Sequence, residues 1–181
     1  MELLSITLRQ IRTADPAYSF VERLFVSAFP EDERRDLVAQ RHNVDCNPVF
    51  RCMLAEDGGQ PVGFFTCWDF GAYCYGEHFA TDPVCRNQGY GSRILPAVLA
   101  YIGKPLVFEV EMPDNEISRR RIAFYRCNGM HLWEGYDYVQ PSYRPEGNTL
   151  PMLLMASDGL NPATDFSSVV RTIHREVYGV E

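Results

Sequence analysis

The chain has 181 residues, of which 46% are apolar and 23% charged, and its formal net charge is −7. That length suits one domain with enough interior to fold without disulfide or metal staples. The negative balance argues against general nucleic-acid binding, which needs a basic surface, and leans toward cationic partners.

Leu3 to Ile11 alternates apolar and polar residues and predicts a strand. Asp15-Pro16 predicts a helix start, a capping carboxylate followed by proline, with Phe20, Val21, Leu24, Phe25 and Ala28 as the apolar face. A second helix start is predicted at Pro30, with Glu31, Asp32 and Glu33 in its first turn and Arg34, Arg35 and Arg41 further along, an order that suits the helix dipole. Val49 to Leu54 and Pro61 to Trp68 read as strands joined by the turn Asp57-Gly58-Gly59, and a third strand runs from about Tyr73 to Thr81. After a loop comes a helical pattern of Ile94, Leu95, Val98, Leu99 and Ile102, ended by Gly103. Pro96 lies inside it, so that helix starts late or bends.

Leu106 to Glu111 predicts a short strand. Asp114 then caps a helix carrying Ile117, Ile122 and Tyr125, which stops at Asn128-Gly129. Leu132 to Val139 and Leu150 to Ala156 read as the last strands, separated by a Pro- and Gly-rich connection over 140–149. Asn161-Pro162 opens a final helix with Phe166, Val169, Val170, Ile173 and Val177 on one side. No repeats interrupt this order, so one α/β domain is expected.

No apolar run approaches the roughly 20 residues that span a bilayer. Met1-Glu2-Leu3-Leu4-Ser5 lacks the basic region and cleavage site of a signal peptide. The six cysteines form no C-x-x-C pair and no metal-ligand spacing with the histidines. Several lie in apolar runs, so reduced thiols, a cytoplasmic setting and no metal are expected.

The segment that carries chemistry runs from Glu77 through Thr81, Arg86, Asn87, Gln88, Gly89, Tyr90 and Gly91 to Ser92. It reads as strand, tight loop, helix start. Gly89 and Gly91 would let main chain approach a ligand, and the free amides of a first helical turn favour an anion such as a diphosphate. The dinucleotide pattern fails because Ile94 stands at its third glycine, and the P-loop pattern lacks its Gly-Lys-Ser/Thr ending.

Arg86-x-x-Gly89-x-Gly91 resembles the pyrophosphate loop of the GNAT acetyltransferase superfamily, and Phe79-Ala80-Thr81-x-Pro83 resembles the strand end before it. Ile122-Ala123-Phe124-Tyr125-Arg126-x-x-Gly129-Met130 is similar to that family's second landmark helix, with Glu109-Val110-Glu111 in the intervening fifth strand. Thr81, Ser118, Arg121 and Met130 depart from the usual valine, asparagine, alanine and phenylalanine.

The resemblance implies a GNAT-type α/β fold: a mixed, mostly antiparallel sheet of about seven strands flanked by helices. It implies one domain over 1–181, a coenzyme-binding core over about 60–139, and an extra C-terminal helix over about 162–178. It further implies transfer of an acetyl group from acetyl-CoA to a primary amine by direct attack in a ternary complex. The main chain of Phe79, Ala80 and Thr81 would hold the pantetheine. Arg86, Asn87, Gln88, Gly89, Tyr90, Gly91 and Ser92 would surround the diphosphate. Tyr125 matches the family's general acid, and Glu77 is the first candidate for base, with Glu109 and Glu111 competing. On a regular strand His78 alternates away from Glu77, so one of them should point off the cleft, and His78 reads as structural.

Arg119, Arg120 and Arg121 could reach phosphates or form a solvated helix face. Glu31, Asp32 and Glu33 could meet a cationic acceptor. Trp133, Tyr136, Tyr138 and Tyr143 could wall the acceptor or pack as core. The resemblance implies a small-molecule or peptide amine as acceptor; no nucleic acid or membrane partner is expected, and a homodimer is left open. The alternatives are a catalytically silent acyl-CoA sensor and a generic nucleotide-binding domain.

Overall fold

The computed structural model describes residues 6–181. Of the predicted first strand, Leu3, Leu4 and Ser5 lie outside the described residues, and Thr7–Gln10 forms β1. Next come α1 (Tyr18–Ala28), α2 (Leu37–Cys46), β2 (Phe50–Asp57), β3 (Gln60–Asp69) and β4 (Cys74–Thr81). They are followed by α3 (Tyr90–Ile102), β5 (Leu106–Glu111), α4 (Glu116–Cys127), β6 (His131–Leu132), β7 (Tyr138–Gln140), β8 (Leu150–Ala156) and α5 (Pro162–Ile173). The last helix runs on into a π-turn, His174–Tyr178.

The sheet runs β1-β2-β3-β4-β5-β8, with β6 and β7 both on the outer edge of β8. Every pairing is antiparallel except β4 with β5. The predicted strand Leu132 to Val139 is therefore two short pieces on one edge, parted by a turn in which Gly135 has φ +80°. Gly58 and Gly59, at φ +57° and +79°, supply the two left-handed positions that a two-residue hairpin needs between β2 and β3.

Strand alternation builds two cores. Cys52 and Leu54 face Phe25, Val44, Val169 and Ile173 from α1, α2 and α5. Met53 and Ala55 face the opposite layer, with Ile94, Leu95, Val98 and Ile122 from α3 and α4.

Four local expectations are corrected. Asp15 accepts the Ala17 amide in a turn before α1, which itself starts at Tyr18. No α-helix begins at Pro30. A single 3₁₀ turn, Glu31–Glu33, gives way to extended Arg34, and α2 starts only where the Asp36 side chain accepts the Ala39 amide. The cap of α4 is Asn115, in a capping box with Ser118, and Ile117 is 71% exposed rather than on the apolar face. Pro96 does sit inside α3, on its solvent side, where the lost backbone bond is most easily replaced by water.

Gly63 on β3 has no room for a side chain: a Cβ there would lie 2.6 Å from the Ala80 carbonyl oxygen and 3.2 Å from Ile94 Cδ1. Gly63→Ala should therefore destabilise the fold by about 1–3 kcal/mol, read as a lower urea midpoint with unchanged m-value.

Candidate active site

β4 and β5 pair only over Cys74–Gly76 and Leu106–Phe108. Beyond that point β4 stays with β3 and β5 stays with β8, so the two strands part and leave a wedge between them. A bulge drives the parting. Thr66 faces His78 and Cys67 faces Gly76, which leaves Glu77 without a partner on β3. Bulges sharpen local twist and bend the strand that carries them. The Glu77 side chain is 0% exposed although the residue is partly accessible, so its open part is main chain. The main chain of Phe79, Ala80 and Thr81 continues along that edge, unpaired with β5.

At the end of β4 the chain makes a 3₁₀ turn (Pro83–Cys85), held by the Asp82 side chain on the Val84 amide. It then enters α3 through Asn87 at φ +62° and Gly89 at φ +75°, the N-cap. The first amides of α3 have no intrahelical acceptor. The Tyr90 hydroxyl (2.8 Å) and Arg93 (3.1 Å) both donate to Asp57 Oδ2, which ties the helix start to the β2–β3 hairpin. Around Gly89 the space is open: an added Cβ would meet nothing within 4 Å. Gly91 is more crowded. Its Cβ would lie 3.1 Å from Phe124 Cζ, so its smallness also lets α3 pack on α4. Gln88, Asn87 and Arg86 are exposed at the loop's rim, as is Ser92 one turn on.

Two cavities meet the wedge. The smaller, about 50 Å³, is bordered by Gly76, Phe79, Leu106, Phe108 and Tyr125. The larger, about 420 Å³, is bordered by Glu33, Glu111, Asp114, Arg121 and Tyr143. Glu77, His78 and Glu109 line both. The predicted alternation of Glu77 and His78 fails: both side chains meet Tyr143 and lie 3.7 Å apart, because the bulge resets the phase between them.

Tyr125 packs its ring 4.5 Å from that of Phe108. Burial pushes its phenol up to about 12, opposed by Arg121, so the proton stays on Oη at neutral pH. Glu77 is committed elsewhere. Arg35 grips both of its oxygens, Tyr143 Oη donates at 3.0 Å and Trp68 Nε1 at 3.1 Å. Burial alone would raise this carboxyl, yet the Arg35 charge overrides it and holds Glu77 well below the ordinary range. A carboxylate held that acidic by a cation is a poor base.

Glu109 is the opposite case. Burial raises it, against hydrogen bonds from Tyr138, Gln140 and Tyr178. Glu111 is half-buried and paired with Arg121 at 3.2 Å. Burial, then Glu111, raises Glu33.

His78 is 3% exposed, with Nε2 3.1 Å from the Glu33 carbonyl. That contact requires Nε2–H, and Nδ1 is sealed without a hydrogen-bond partner, 3.7 Å from Glu77. Arg119 bonds the Pro113 carbonyl and Arg120 pairs with Glu116, so neither is directed at the loop. Of the four aromatics, Tyr143 borders the larger cavity, whereas Trp133 and Tyr138 are buried in the core and Tyr136 packs on Phe166.

Arg35 and Tyr178 were not singled out by sequence. Arg35 sits in an apparent helix charge pattern, and Tyr178 is one residue beyond the last predicted apolar position. The Arg35 guanidinium also donates to Gln40 at 2.8 Å and lies over the rings of Phe50, Trp68 and Tyr143.

The model of the "Acetyltransferase (GNAT) family" matches residues 15–130. A Bacteroides thetaiotaomicron protein assigned to the GNAT acetyltransferases is 40% identical, with a TM-score of 0.94 over 97% of this chain and 99% of that one. An Elizabethkingia anophelis GNAT acetyltransferase with acetyl-CoA bound shares 16% identity and a TM-score of 0.56 over 84% of this chain and 97% of that one. Arabidopsis thaliana Naa50, in complex with the bisubstrate analogue CoA-Ac-MVNAL, shares 18% identity and a TM-score of 0.60 over 86% of this chain and 99% of that one. These last two show likeness of fold. No curated protein matches significantly.

Removing one partner of a buried ion pair strands the other. Arg35→Met should cost about 3–5 kcal/mol in urea unfolding at neutral pH, and adding Glu77→Leu should recover part of it. In the wild type the Glu77 contribution is complete above the unfolded carboxyl value of about 4.3 and drains away as pH falls toward its lowered folded value. In Arg35→Met burial drives Glu77 upward, so the gap from wild type should narrow on acidification.

Proposed function

The chain belongs to the GNAT family of acetyltransferases, and from that premise we propose that it is an acetyl-CoA-dependent N-acetyltransferase acting on a primary amine. The observation that carries this reading is the wedge between β4 and β5, with an open helix N-terminus at its mouth and an acidic chamber on its far side.

The residues present fit acetyl-CoA. The unpaired main chain of Glu77 to Thr81 would hold the pantetheine. The amides of Gln88, Gly89, Tyr90 and Gly91, with the exposed Arg86, would take the diphosphate, in the space left open around Gly89. Acetyl-CoA, when bound, supplies the acetyl group as a thioester activated toward amines. Tyr125 keeps its proton at neutral pH and can donate it to a leaving thiolate.

On the acceptor side Glu33, Glu109, Glu111 and Asp114 outnumber Arg121, which favours a cationic amine. Glu109 replaces Glu77 as first candidate for base. Burial raises its proton affinity and its donors are neutral, whereas the Arg35 cation holds Glu77 down and Glu111 spends its charge on Arg121. Cationic small amines and peptide amines both suit the chamber's charge.

Acetyl-CoA incubated with a panel of primary amines should release thiol in an amine-dependent way. Tight coenzyme binding without that release would favour a silent acyl-CoA sensor instead. Tyr125→Phe should lower kcat about 10²-fold while coenzyme affinity measured by calorimetry stays within about twofold. Unchanged kcat would remove Tyr125 from the chemistry.

A further inference from the structure

The first residue beyond the last pairing on each arm of the wedge is a glutamate: Glu77 after Gly76 on β4, and Glu109 after Phe108 on β5. Tyr143 Oη donates to Glu77 at 3.0 Å. Tyr178 Oη lies 2.9 Å and 3.1 Å from the two oxygens of Glu109. The two phenols are 3.5 Å apart, and their ring centroids lie 4.9 Å from each other. Each phenol spends its one proton on its own glutamate, so the two are joined by ring packing, and a chain of side chains thus crosses the gap where main-chain pairing has stopped. Tyr143 comes from the β7–β8 connection and Tyr178 from the π-turn at the end of α5. Single π-turns inside helices are rare and gather at functional sites.

We propose that Tyr143 and Tyr178 form a brace between the two arms of the wedge, and that Tyr178 is a positioning residue that holds Glu109 ready to take the acceptor's proton. This rests on the N-acetyltransferase reading. The brace gives the C-terminal turn a part in catalysis, although it lies beyond residues 15–130, the family-matched region. The acid end of the brace is anchored: Arg35 pins Glu77, and the Arg35 guanidinium lies 5.3 Å from the Tyr143 ring centroid. The other end carries the working group.

Glu109 is faced by Tyr75 from β4, Tyr138 and Gln140 from β7, and Tyr178 from the π-turn. All are neutral donors, so each bond favours the ionised carboxylate without a balancing charge. Taking away the Tyr178 hydroxyl removes one such donor, so the Glu109 carboxyl should then release its proton at higher pH.

The test uses Tyr178→Phe, which keeps the ring and deletes the hydroxyl, in the full chain. Carbon-13 NMR titration of the coenzyme-free protein, with the Glu109 signal assigned by its loss in Glu109→Gln, should show the midpoint raised by about one pH unit. The acid limb of kcat/KM for the amine should move up by the same amount. At neutral pH kcat should fall about tenfold while KM for acetyl-CoA stays within about twofold. An unmoved NMR midpoint, or wild-type kcat in Tyr178→Phe, would overturn the positioning role of Tyr178. If the wild type itself acetylates no amine, the N-acetyltransferase reading falls, and the NMR midpoint still shows whether Tyr178 governs Glu109.

Discussion

A parallel pair of strands holds together only while each residue finds its hydrogen-bond partner across the gap, and β4 and β5 keep this up for three residues on each side. At Gly76 side chains crowd the strand: a Cβ there would stand 2.9 Å from Phe65 Cζ and 3.3 Å from Leu106 Cδ1. One residue later the bulge at Glu77 turns β4 away. The cost of the parting is a row of main-chain groups without partners, which a folded protein keeps only where something else will pair with them. The loop from Arg86 to Ser92, the two cavities and the buried carboxylates are all arranged around this opening.

The bulge is anchored by charge. A carboxylate with a side chain 0% exposed is tolerable only when its lone pairs are filled, and Arg35, Trp68 and Tyr143 fill those of Glu77. This explains why the segment after Pro30 is extended at Arg34 instead of continuing as a helix: a helix there would compete with delivery of Arg35 to β4. The same arrangement separates two glutamates that the sequence treats as alike. Glu77 is driven down by a cation, and Glu109, ringed by neutral donors, is driven up by burial. Their environments assign them different work.

Much of the fold was legible because its signals are local. Gly58-Gly59 marks a hairpin, Gly103 and Gly129 at φ +61° and +83° end helices, and strand alternation sorts the two cores. The loop from Arg86 to Ser92 stood out by its glycines and its place before a helix. What sequence did not disclose is long-range. Arg35 meets Glu77 across 42 positions and Tyr178 meets Glu109 across 69, and no periodicity encodes such contacts. The bulge is equally silent in sequence, yet it decides which faces Glu77 and His78 present. Gly91 has a packing role that sequence does not show, its missing Cβ making room for Phe124.

The central claim is that the parted strands and the α3 N-terminus together form a seat for coenzyme A. A crystal structure of the protein grown with coenzyme A tests it most directly. The account predicts the diphosphate on the amides of Gln88 to Gly91 and the pantetheine alongside the main chain of Glu77 to Thr81. Coenzyme bound away from the wedge, with those amides turned onto protein acceptors, would contradict it.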